Sequence, residues 1–138
     1  MAGFDAEAAR RALEENFAPW VQELGLRVES VGEGSAVLRL PFAARLVRMG
    51  GTVSGQALMS AADTAMVFAL AGSFGAFRPV TTVSQNISFM RPISDSDVLV
   101  DARVVRLGRT LAFGEVVLRA DGDDRPAALA TATCAIPG

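Results

Sequence analysis

The sequence predicts an α+β domain in which one antiparallel sheet curls around a single long buried helix. Three observations predict it. Between Ala57 and Ala71 the residues are Ala, Leu, Met, Val and Phe with few polar interruptions, a run too long for a strand and apolar nearly all round. Six shorter runs before and after it have strand character. The many Ala residues of the helix let a sheet approach closely. With 138 residues, 51% hydrophobic and 20% charged, the chain suits one domain over 1–138, residues 1–24 forming an N-terminal helical segment.

Asp5 is placed to cap a first helix, whose Ala9, Ala12, Leu13 and Phe17 form an apolar stripe with Arg10, Arg11, Glu14 and Glu15 outside it. Pro19 bends or interrupts that helix, Trp20 to Leu24 add a turn, and Gly25 is the first stop signal. Two strands follow, Leu26 to Val31 and Ala36 to Phe42, joined by Gly32-Glu33-Gly34. After the buried helix come Val80 to Met90, Asp97 to Leu107, Thr110 to Ala120 and Ala127 to Ile136, with turns at Gly108 and at Asp121-Gly122-Asp123-Asp124. An antiparallel sheet of this size has edges to cover, and pairing with a second copy covers one, so at least a dimer is expected.

Composition removes most catalytic chemistry. There is no His, Tyr or Lys, and all 13 basic residues are Arg. Triads built on histidine, histidine metal sites, Schiff bases and phosphate-loop lysines are therefore excluded. Eight Asp, seven Glu, the hydroxyls, Arg and Cys134 remain, so a catalyst here uses a carboxylate. A net charge of -2 with no long basic run does not advertise nucleic acid. The longest apolar stretch, Ala65 to Gly72, falls short of the ~20 residues of a membrane span, so no membrane partner is expected. A single Cys and a polar start at MAGFDAEAARRALEEN fit a reducing cytoplasm.

Within the buried helix, Gln56, Ser60, Asp63, Thr64 and Val67 are spaced by three or four and share one face. Asp63 is its focus, because a carboxylate in so apolar a segment is costly without a partner, water or ligand. The alternative is a structural Asp that caps a loop or pairs with an Arg.

The stretch GGTVSGQALMSAADTAM, Gly50 to Met66, resembles the signature of hotdog-fold acyl-CoA thioesterases of the phenylacetic-acid-degradation type. Gly51-Thr52, Gly55 and Asp63-Thr64-Ala65 fit it, Asn86-Ile87-Ser88-Phe89-Met90-Arg91-Pro92 looks like the family's later strand, and the last hairpin, Gly108 through Thr133, is also similar. Arg48 stands where the family has Asn, Ser54 where it has His, and Gln56 where it has a second Gly.

The resemblance implies hydrolysis of an acyl-CoA thioester with no metal and no cofactor. Asp63 would attack the thioester or activate a water. The helix N-terminus at Gly55 and Gln56 would hold the developing oxyanion. Arg48, Ser54, Thr64 and Thr82 are candidate substrate-binding residues, Thr82 resembling the family's strand hydroxyl. Met59, Met66 and Phe68 are candidate walls for the acyl group, and Cys134 reads as a small strand residue. Eight residues of helix separate Gly55 from Asp63 by ~12 Å, so one thioester cannot touch both. The family's interfacial sites resolve this in a homodimer or homotetramer. The competing reading is a hotdog module that binds acyl-CoA or another apolar ligand without turnover.

Overall fold

The computed structural model describes residues 3–138. Helix α1 (Ala6–Asn16) starts at Asp5, whose carboxylate accepts from the Ala8 amide at 2.9 Å. It ends before Pro19, which cannot continue it and instead takes the first position of a short helix α2 (Pro19–Gln22). Strands β1 (Arg27–Gly32) and β2 (Ser35–Leu40) form the predicted hairpin, and a 3-10 turn at Ala44–Leu46, which the sequence pattern did not signal, leads toward helix α3 (Gly55–Phe74). Strands β3 (Thr81–Phe89), β4 (Val98–Leu107), β5 (Leu111–Ala120) and β6 (Ala128–Ala135) complete a six-stranded antiparallel sheet in the order β1-β2-β4-β5-β6-β3. This is the expected sheet around a helix.

Helix α3 begins two residues earlier and ends three later than the apolar run. Ser54 caps its start by accepting from the Ala57 amide at 3.2 Å, and Gly75 ends it at a left-handed φ of 79°. The helix is long enough to cross a bilayer, yet most of its apolar surface is covered by the sheet. Two glycines permit that approach. A side chain at Gly72 would run into the Gly32 carbonyl at the end of β1, and one at Gly114 would occupy the space of the Met66 thioether. Met66 and Phe68 are fully buried, so both belong to the core and are not pocket walls. Phe68 lies under the rings of Phe4 and Phe17, with centroids 6.1 and 5.5 Å away.

Three strands change register, at Val28/Ser30 in β1, Thr82/Ser84 in β3 and Val104/Arg106 in β4. The β3 irregularity matters most. It ejects Val83 to the surface and restores Thr82, Gln85 and Ile87 to one face, opposite the buried Cys134, Ala132 and Ala130 of β6. At the other end of the sheet Arg39 reaches Glu29 at 3.5 Å, Asp97 at 3.0 Å and Asp121 at 2.8 Å, tying β1 and β2 to the entry to β4 and the exit from β5.

Candidate active site

The polar face of α3 separates into two kinds of residue. The Ser60 hydroxyl donates to the Gln56 carbonyl and the Thr64 hydroxyl to the Ser60 carbonyl, both at 2.8 Å, so these side chains fold back on their own helix. Thr64 is also buried, which explains its place in the stripe without a ligand. Asp63 alone reaches across to the sheet. Its Oδ1 accepts from the Thr82 hydroxyl at 2.6 Å, a short charge-assisted bond, and among the described residues no Arg pairs with it. The second carboxylate oxygen remains available. The structural alternative of an Asp held by an arginine is therefore not what the chain builds.

Cys134 faces Thr82 directly across the β3–β6 ladder. Burial pushes its thiol up, the Thr82 hydroxyl opposes that shift, and the Asp63 charge adds to it, so the sulfur stays a neutral thiol. A thiol held neutral is no nucleophile, in keeping with its reading as a small strand residue.

The start of α3 is a second polar feature. The Val53 amide donates to the Ile93 carbonyl at 2.8 Å and the Ser54 amide to the Leu46 carbonyl at 2.8 Å, which clamps the helix entry between two segments. The Ala57 and Leu58 amides are taken by Ser54, through its hydroxyl and its carbonyl. The Gly55 and Gln56 amides find no acceptor among the described residues, at the positive end of a 20-residue helix. Beside them lies an open groove of about 470 Å³ lined by Arg48, Gly55, Leu58, Phe89, Arg91 and Ile93 among others. Gly55 packs close to this wall: a Cβ there would come within 3.2 Å of the Phe89 ring, which would have to shift by a few tenths of an ångström.

The structure thus brings Asp63 and Thr82 together and groups Gly55, Gln56 and Ser54 elsewhere, about 12 Å along the helix. Arg48 lies at the groove mouth on a turn through Gly50 and Gly51, its guanidinium donating to the Met49 carbonyl at 2.7 Å. Ser54 is occupied as a helix cap, a role visible in its position before an apolar run and not assigned to it from the motif. Gln56 is exposed at the helix start.

One residue of the site escaped the sequence reading. Gln85, on the inward face of β3, donates from Nε2 to the Met59 carbonyl at 3.2 Å, while its buried Oε1 has no partner among the described residues. An amide at an inward strand position was the available signal, but the register shift after Thr82 hid the facing.

Comparison with known proteins adds a family. A family model described as Thioesterase superfamily matches residues 50–127, which includes both the α3 entry and Asp63. A curated relative from Halobacterium salinarum, named a "putative esterase", is 32% identical over 126 residues, covering 84% of this chain and 81% of its own. Among solved structures, a conserved protein from Pseudomonas aeruginosa is 33% identical with a TM-score of 0.82, covering 90% of this chain and 98% of that one. A variant of phenylacetic acid degradation protein PaaI from Thermus thermophilus is 28% identical with a TM-score of 0.76, covering 87% and 100%.

Proposed function

This chain belongs to the thioesterase superfamily, and from that membership we propose that it hydrolyses acyl-CoA thioesters at a site shared between two subunits. The observation that carries the proposal is the pair of half-sites on one helix. Asp63, with one oxygen held by Thr82, has a free oxygen to take a proton or attack a carbonyl. The unpaired Gly55 and Gln56 amides can hold an oxyanion, which is the interaction that strengthens as the tetrahedral intermediate forms. Since ~12 Å separates them, the carboxylate of one subunit works against the helix start of the other.

The surface supports this assembly. β3 is an edge strand with its outer hydrogen-bonding groups unpaired by the sheet, and Val83, Phe89, Met90 and Met59 are exposed along it and the adjoining α3. A second copy against that edge covers them and carries its own Gly55 toward Asp63. The groove beside Gly55 takes the acyl part, between Leu58, Phe89 and Ile93. Arg48 and Arg91 at its mouth suit an anionic group of the substrate.

Thiol release from a panel of aliphatic and aromatic acyl-CoA thioesters tests the proposal. Wild type should release thiol from at least one, and Asp63→Asn should not. Binding without thiol release across the panel would replace the hydrolase by a binding module.

A further inference from the structure

Gln85 carries a buried amide oxygen without a partner among the described residues, and a protein normally avoids that. An unsatisfied buried acceptor costs free energy that an apolar side chain of the same size does not, so its presence asks for a donor that arrives later. The amide cannot turn to relieve it, because Nε2 is committed to the Met59 carbonyl at 3.2 Å. The position of that oxygen is informative. Thr82 and Gln85 project from the same face of β3, across the register shift, and meet α3 at Asp63 and Met59 respectively. Those two helix residues are four apart, about one turn or ~6 Å along the same side. The Gln85 amide and the Asp63 carboxylate therefore both lie where β3 packs on one side of α3.

We infer that Gln85 is a positioning residue that holds the hydrolytic water beside Asp63. The inference rests on the thioesterase reading and deepens it. A water that donates one O–H to each of two acceptors spans ~4.5 Å between them, a span within reach of side chains that meet one helix about a turn apart. With both protons directed, at Asp63 and at Gln85 Oε1, a lone pair of the water oxygen points away from both acceptors toward the arriving thioester.

The water oxygen bonds to the thioester carbon as Asp63 takes its proton, and the carbonyl electron pair moves onto oxygen, where helix-start amides receive it. When the carbonyl re-forms, the C–S bond breaks and its electron pair leaves on sulfur. The thiolate takes the proton back from Asp63, giving one carboxylic acid and one thiol. The second acceptor is needed for this direct route. Attack by Asp63 itself would need only the carboxylate in its first step.

Steady-state thiol release with an acyl-CoA substrate of the wild-type protein separates the possibilities, using Gln85→Met and Gln85→Glu. The Met variant removes the acceptor and the Glu variant keeps one while losing the donation to Met59. If Gln85 holds the water, the Met variant loses about 10-fold or more in kcat with KM nearly unchanged, the Glu variant retains more kcat than Met, and melting temperature does not fall in the Met variant. Equal losses in Met and Glu, accompanied by a lower melting temperature, would assign Gln85 to holding α3 and overturn the inference. So would wild-type kcat in the Met variant. A single turnover in oxygen-18 water should label the acid product, and an unlabelled first product overturns the direct route. If Asp63→Asn is inactive while Gln85→Met is not, the thioesterase reading survives and this inference fails. If wild type releases no thiol, both fail.

Discussion

Two residues of α3 hold their places by different physics, and substitution separates them. Asp63 sits half-buried with the Thr82 hydroxyl as its side-chain partner among the described residues, an arrangement that stability does not require. Asp63→Asn preserves shape and can still accept from Thr82. It should abolish thioester turnover while melting temperature stays level or rises, as thiol release and thermal unfolding will check. A drop in melting temperature would return Asp63 to a structural role. Ser54 is the opposite case. Its hydroxyl is spent on the Ala57 amide, so Ser54→Ala should lower stability by about 1 kcal/mol in urea denaturation, and Ser54→Asp should restore it. The Arg48 guanidinium, by contrast, is turned to a neighbouring carbonyl and open to the groove.

At the scale of the element, α3 works through its ends and its faces. Its first turn presents two free amides, and a Pro is tolerated there while deleting an N–H. A Pro at Gly55 would press a ring carbon against Phe89, so that variant mixes two effects. Gln56 is exposed, which makes Gln56→Pro the cleaner test of its amide. It should fold and lose about 100-fold in turnover if that amide holds the oxyanion. A folded variant with undiminished turnover would leave Gly55 as the only amide in play. The sheet has its own electrostatic clasp at Arg39. The Phe42 amide and the Arg39 guanidinium hold the Asp97 carboxyl below its usual range, and the three carboxylates hold Arg39 well above its own. A carboxyl depressed in the folded state adds stability above the unfolded pKa of ~3.9 and loses it as pH falls through the folded value. Stability should therefore decline below about pH 4, and Arg39→Met should flatten that decline, as urea midpoints measured from pH 7 to pH 3 will show. These groups are largely solvated, so the effect at neutral pH is small.

The whole molecule exposes an unpaired strand edge and an α3 face bearing Met59, Ser60, Asp63 and Val67 on the same side. Two half-sites ~12 Å apart on one helix, on a chain with an open edge, make the proposed activity depend on association. Specific activity should fall on dilution as dimer gives way to monomer, and light scattering should show the two changes at one concentration. An active monomer would mean that a single chain completes the site.

Much of this was legible in the sequence because it depends on local pattern. The all-round apolar run could only be a buried helix, the alternating runs around it could only be strands, and Asp63 stood out as the one carboxylate of the helical run. Asp5 marked the start of the first helix, and the absence of His, Lys and Tyr narrowed the chemistry. What tertiary structure decided was contact across elements. Ser60 and Thr64 share a stripe with Asp63 and yet turn onto their own backbone, while Met66 and Phe68 vanish into the core because Gly114 and the Phe4–Phe17 cluster receive them. Gln85 was invisible for the same reason. A period-two pattern assigns a face only while register holds, and the extra residue at Val83 shifts every later side chain of β3, so the buried amide beside Asp63 emerges only once two strands and a helix have met.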